Sequence, residues 1–72
     1  MMETKFKGAA LVLLRPTEAA RVLSVNPQTL ANFRATGRGP AFVKVGSAVR
    51  YSAGALEEYV EAHTKVPSRR ER

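Results

Sequence analysis

Pro16-Thr17-Glu18-Ala19-Ala20-Arg21-Val22-Leu23-Ser24-Val25-Asn26-Pro27-Gln28-Thr29-Leu30-Ala31-Asn32-Phe33-Arg34-Ala35-Thr36-Gly37 reads as two helices with almost nothing between them. Pro16 suits a first helical position, where its missing N–H would find no partner anyway. Ala19, Ala20 and Leu23 follow at helical spacing on one face. Arg15 is a poor cap, so the first helix has the weaker start. The second helix is better marked: Asn26 is a favoured N-cap residue and Pro27 again sits first. Leu30 and Phe33 face the same way, and Gly37 can adopt the left-handed conformation that closes a helix.

Helices joined by so short a turn must cross steeply, which is the geometry of a helix-turn-helix. Ala20 is small enough for the crossing point, Val25 is placed to fill the corner, and Leu30 and Phe33 anchor the second helix. Gln28, Ala31, Asn32 and Ala35 are then left pointing outward. Asn and Gln can pair bidentately with adenine in the major groove, and small alanines let a helix come close to the bases. The competing reading is an ordinary solvated helix face.

Phe42–Tyr51 is rich in β-formers and interrupted by Gly46, as in a hairpin. Parity gives a register. If Val43, Val45, Val49 and Tyr51 share a buried face, Val45 opposes Val49 and Val43 opposes Tyr51. The loop is then Gly46-Ser47-Ala48, and Lys44 lies beside Arg50 on the open face. Like charges directly opposite are unfavourable unless an anion such as phosphate sits between them. Ser52 caps a third helix that runs to about His63, with Leu56, Tyr59 and Val60 as its apolar stripe. Glu57, Glu58 and Glu61 fall largely outside it.

The fold class expected is therefore mainly α with a small β-hairpin: a winged helix-turn-helix over residues 11–63. It is preceded by an N-terminal arm, 1–10, and followed by a basic disordered tail, 64–72, that has no apolar periodicity. Ala9–Leu14 is apolar, but the run stops at Arg15-Pro16. That is too short for a signal peptide's core or a membrane span, and it reads as a core-packing strand or extended arm.

The formal charge is +6, and its distribution is more telling than its size. Between Glu18 and Glu57 no acidic side chain occurs, while Arg21, Arg34, Arg38, Lys44 and Arg50 do. The tail adds Lys65, Arg69, Arg70 and Arg72 against Glu71. This segregation predicts one basic and one acidic face, with a polyanion as the partner of the basic one. Cysteine is absent and His63 is the one histidine, so neither thiolate nor multi-histidine metal sites are available. No phosphate-binding glycine loop and no nucleophile–base spacing is present. The chain is expected to be no enzyme and to need no cofactor. Lack of cysteine also fits a reducing cytosol.

Helix, tight turn, helix, hairpin, helix, carried by Arg15–Val25, Asn26–Arg34, Gly37-Arg38-Gly39-Pro40, Phe42–Gly46, Val49-Arg50-Tyr51 and Leu56–Val60, resembles the phage excisionases and related MerR-like small helix-turn-helix proteins. The resemblance spans roughly residues 11–62. It implies that the second helix reads the major groove of double-stranded DNA, through Asn26, Pro27, Gln28, Thr29, Ala31, Asn32 and Arg34. It implies backbone or minor-groove contact by the wing, resting on Lys44, Ser47 and Arg50, with Arg21 and Arg38 as further backbone contacts. It also implies occupation of several adjacent sites with self-association on DNA, DNA bending, and an integrase or other recombinase as partner. The chain departs from the family pattern at Arg15, at Ser24 where glycine is common, and at Ala48 near the wing tip. It also lacks the long C-terminal helix that dimerises full MerR regulators. A phage or prophage transcription regulator using the same surface is the alternative, and a basic protein-interaction adaptor is a third.

Overall fold

The computed structural model describes residues 11–67. Six elements follow one another: β1 (Leu13–Leu14), α1 (Pro16–Leu23), α2 (Pro27–Ala35), β2 (Val43–Val45), β3 (Ala48–Ser52) and α3 (Ala53–Ala62). The three strands form one antiparallel sheet in the order β1-β3-β2. The fold is a mainly helical winged helix-turn-helix, and the apolar run before Arg15 supplies the sheet's third strand. Leu14 pairs with Tyr51 and Leu13 with Ser52. The Ala53 N–H donates to the Val12 carbonyl at 2.9 Å, so β1 also holds the start of α3. The expected arm, 1–10, lies outside the described residues.

α1 begins better than Arg15 alone suggests. The Arg15 N–H donates to Glu18 Oε1 at 2.8 Å, so the glutamate three residues on reaches back to the helix start. The helix ends on Ser24, which takes the left-handed φ of 58°. The Ser24 N–H donates to the Arg21 carbonyl and that of Val25 to the Ala20 carbonyl. This pair of bonds is the Schellman closure, which commonly uses glycine at the left-handed position. Here serine bears the strain, and the turn still reverses within Ser24-Val25-Asn26. Asn26 Oδ1 then accepts from the Gln28 N–H at 2.8 Å and caps α2. Past Thr36, Gly37 is left-handed at φ 74°. Ser52 caps α3 through the Ala55 N–H.

Ala19, Ala20, Leu30, Tyr51 and Leu56 form the buried core, with Leu14, Leu23, Phe33 and Val49 packed around it. The two alanines let α1 approach both α2 and β3 closely. Full burial of Leu30 is worth roughly 1.5–3 kcal/mol and fixes which face α2 turns outward. Val25 does not fill the corner. It is 37% exposed, and its backbone rather than its side chain makes the turn. Val60 is likewise half-exposed beside the buried Leu56.

The wing register differs from the parity argument. Val43 pairs with Arg50, Lys44 with Val49 and Val45 with Ala48, leaving the two-residue loop Gly46-Ser47. Gly46 has φ 65° and Ser47 is not left-handed, which suits the two-residue hairpin turn with glycine first. That turn chemistry outweighs the burial of two valines. Because side chains directly across a pair share a face, Lys44 joins Val49 and Tyr51, while Val43, Val45 and Ala48 join Arg50 on the other. Val43 and Val45 are accordingly exposed, not core. Lys44 and Arg50 lie on opposite faces, so no phosphate can sit between them.

Candidate nucleic-acid interface

Gln28 and Asn32 stand one helical turn apart on the exposed side of α2. Gln28 Nε2 donates to Asn32 Oδ1 at 3.2 Å. Both side chains keep further donors and acceptors free, and each is preoriented by the other. Such an amide pair can present the donor–acceptor pattern that adenine requires. Asn26 is committed to capping through its Oδ1, which leaves only its NH₂ to reach outward. Pro27 fixes the helix start and offers no donor. Thr29 and Ala31 are half-buried, so they flank the exposed pair rather than lead it. Thr36 Oγ1 donates to the carbonyls of Asn32 and Phe33 and closes the far end of the helix.

Arg34 does not lie with the exposed pair. Its Nη1 donates to the hydroxyl of the buried Tyr51 at 2.8 Å, and its guanidinium lies 6.0 Å from the Phe42 ring centroid. Phe42 and Tyr51 themselves pack at 6.1 Å with tilted rings. One arginine therefore ties α2 to the base of the wing. Sequence reasoning missed this because the partners are 17 residues apart and no local pattern joins them. A buried tyrosine hydroxyl does call for a partner, and that was the available signal.

Arg38 closes the connection to the wing. Its guanidinium sits 5.4 Å from the Phe33 ring centroid, within cation–π range, and its N–H donates to the Phe33 carbonyl at 2.7 Å. Gly39 follows at φ 84°, and a Cβ there would meet Phe33 Cβ at 2.9 Å. Glycine is required by both the backbone and the close approach. Pro40 is then buried.

The remaining cations divide by face. Arg21 in the last turn of α1 is exposed, as is Lys44, which projects on the wing face shared with Tyr51, where Arg34 binds. Ser47 is exposed at the wing tip. Arg50 is half-buried on the opposite wing face, with its Nη1 donating to the Val49 carbonyl. The structure thus pairs Gln28 with Asn32 on α2, ties Arg34 to Tyr51, and puts Lys44 and Arg50 on opposite faces of the wing. Lys65 is exposed beyond α3, whereas Arg69, Arg70 and Arg72 lie outside the described residues. His63 stacks on Tyr59 with ring centroids 4.1 Å apart, and its Nδ1 lies 2.9 Å from the Tyr59 carbonyl. That places it at a helix end.

An exposed amide pair on the second of two tightly joined helices, followed by a small hairpin that carries Lys44 and Arg50, is the arrangement of a DNA-binding module. The sequence pattern of the helix-turn-helix domain matches residues 13–64, and the chain belongs to that family. No curated protein and no solved structure matches the chain. Among the described residues no helix is long and apolar enough to cross a membrane.

Proposed function

We propose that this protein is an excisionase, a non-enzymatic factor that binds and bends attachment-site DNA and directs an integrase toward excision. The observation carrying the reading is the exposed Gln28–Asn32 pair on α2, held with a small wing in one helix-turn-helix unit. One such unit reads a short site of modest affinity. Useful specificity then comes from several adjacent sites filled side by side, with self-association on the DNA. Lys65 and the basic residues after it add a sequence-independent electrostatic hold and an arm for the recombinase. The place of action is the nucleoid in the cytoplasm of a bacterial cell.

The test is a footprint across the attachment region beside a neighbouring integrase gene, with integrase present and absent. The proposal expects a run of short protected sites that strengthens when integrase is added. Protection confined to a promoter and indifferent to integrase would assign the same surface to transcriptional control instead.

A further inference from the structure

Leu14 of β1, Val22 of α1 and Ala53, Leu56 and Val60 of α3 line an apolar groove of about 300 Å³. None of its lining residues belongs to α2 or the wing. Val22 is 61% exposed and Val60 48%, so aliphatic side chains that could have been core stand open to water. The stems of Glu57 and Glu61 complete the lining and put two carboxylates along one side. They are four apart on α3, a spacing at which like charges repel. The positions three and four residues from Glu57 hold Ala53, Gly54, Val60 and Glu61, so helical spacing gives that carboxylate no basic neighbour.

We propose that this groove docks a basic amphipathic segment of a partner protein. The segment's aliphatic side chains lie against Val22 and Val60, and its Lys or Arg side chains meet Glu57 and Glu61. The charge settles the class of occupant: carboxylates repel phosphate, so DNA is excluded, and an acidic segment would be repelled as well. An apolar stripe with cationic flanks matches both features and follows the helix-in-groove mode of recognition. The proposal does not rest on the excisionase reading. It requires only that DNA held by α2 and the wing leaves α1 and α3 free on this side.

The experiment titrates the full-length ¹⁵N-labelled protein with a Leu/Lys amphipathic helical peptide of about 14 residues, long enough for several turns, and separately with its Leu/Glu counterpart. The Leu/Lys peptide should shift the amides of Leu14, Val22, Ala53 and Val60 and leave α2 unmoved. Val22→Gln or Val60→Gln should weaken it by about tenfold, as loss of an aliphatic anchor does. Both positions are exposed enough to leave the fold intact. Glu57→Gln with Glu61→Gln should weaken it further at low salt than at high salt. Equal binding of the Leu/Glu peptide, shifts centred elsewhere, or no shift at millimolar peptide would each overturn the proposal. So would nuclear Overhauser contacts from the groove to the chain's own terminal residues without peptide, or shifts that follow protein concentration because a second copy fills the groove. Duplex binding by Val22→Gln should equal that of the parent, which separates failure here from failure of the DNA reading.

Discussion

α2 and the wing are linked by the Arg34–Tyr51 bond, yet they are held by different kinds of contact. α2 organises itself: Asn26 caps it, Leu30 pins it, Gln28 and Asn32 order one another, and Thr36 and Gly37 close it. All those signals lie within twelve residues of chain, from Asn26 to Gly37. The wing depends on remote partners. Its outer valines are exposed, and it is fixed by pairing with β1 through β3 and by the Arg34–Tyr51 bond from α2. Local order is concentrated in α2, and a few long-range ties hold the wing.

The sharpest test of that division falls on the loop joining the two regions. Gly39→Ala forces a Cβ into Phe33 at a left-handed backbone position. Strain and steric conflict together should cost about 3 kcal/mol. In a domain this small the melting temperature should fall by on the order of 15 °C. Gly46→Ala at the wing tip has a similar φ but nothing within 4 Å of the new Cβ, so it should cost only about 1 kcal/mol. Equal losses in thermal melts would show that the loop is not clamped by Phe33.

Next in size is the reading of bases. Asn32→Ala should lose roughly 1–3 kcal/mol on the preferred duplex and far less on others. Gln28→Ala should do likewise, with coupling between the two because they share a hydrogen bond. Competition binding across a set of single-base variants checks this, and uniform losses would mean the helix face reads no bases. Tyr51→Phe, which keeps the ring and deletes the hydroxyl, should cost about 1 kcal/mol of stability. It should also weaken DNA binding although Tyr51 is buried and cannot touch DNA. Unchanged affinity at temperatures where the variant is folded would remove Arg34 as the tie between helix and wing.

Lys44 and Arg50 sharpen the comparison within the wing. Lys44→Ala should flatten the slope of log affinity against log salt by about 0.9, the signature of one lost phosphate contact. Arg50 lies on the other face, so Arg50→Ala should leave the slope nearly as it was. Equal slope changes would place both wing faces against DNA.

Legibility in the sequence follows the same division. All three helices are readable because caps, prolines, closing glycine and apolar spacing act over three or four residues. The exposed Gln28–Asn32 pair is readable for the same reason. Parity misses the wing's register because it counts Val43 and Val45 as core, whereas the turn preference of Gly46-Ser47 outweighs them. The place of Arg34 on α2 points to base reading, but a long flexible side chain near a helix end goes where a buried hydroxyl needs it. β1 was visible only as an apolar run, since a two-residue strand declares itself through its partner and not through its own pattern.

The smallest expected effect is the one that tests the register most directly. On the observed pairing Val45 opposes Ala48 on the outer wing face and is 56% exposed, and Val43 beside it is 43% exposed. Val45→Thr keeps the β-branched shape and the strand preference while adding a hydroxyl that water can satisfy. Its cost should stay within about 0.5 kcal/mol, as for most surface substitutions. Val49→Thr places the same hydroxyl on the face of Tyr51, packed against the core. There it should cost about 1–2 kcal/mol, because the hydroxyl loses water without a designed partner. Under the three-residue loop both valines would share the buried face and the two variants would melt alike. A gap of several degrees between them therefore supports the Gly46-Ser47 turn, and coincident melts would restore the register in which Lys44 stands beside Arg50.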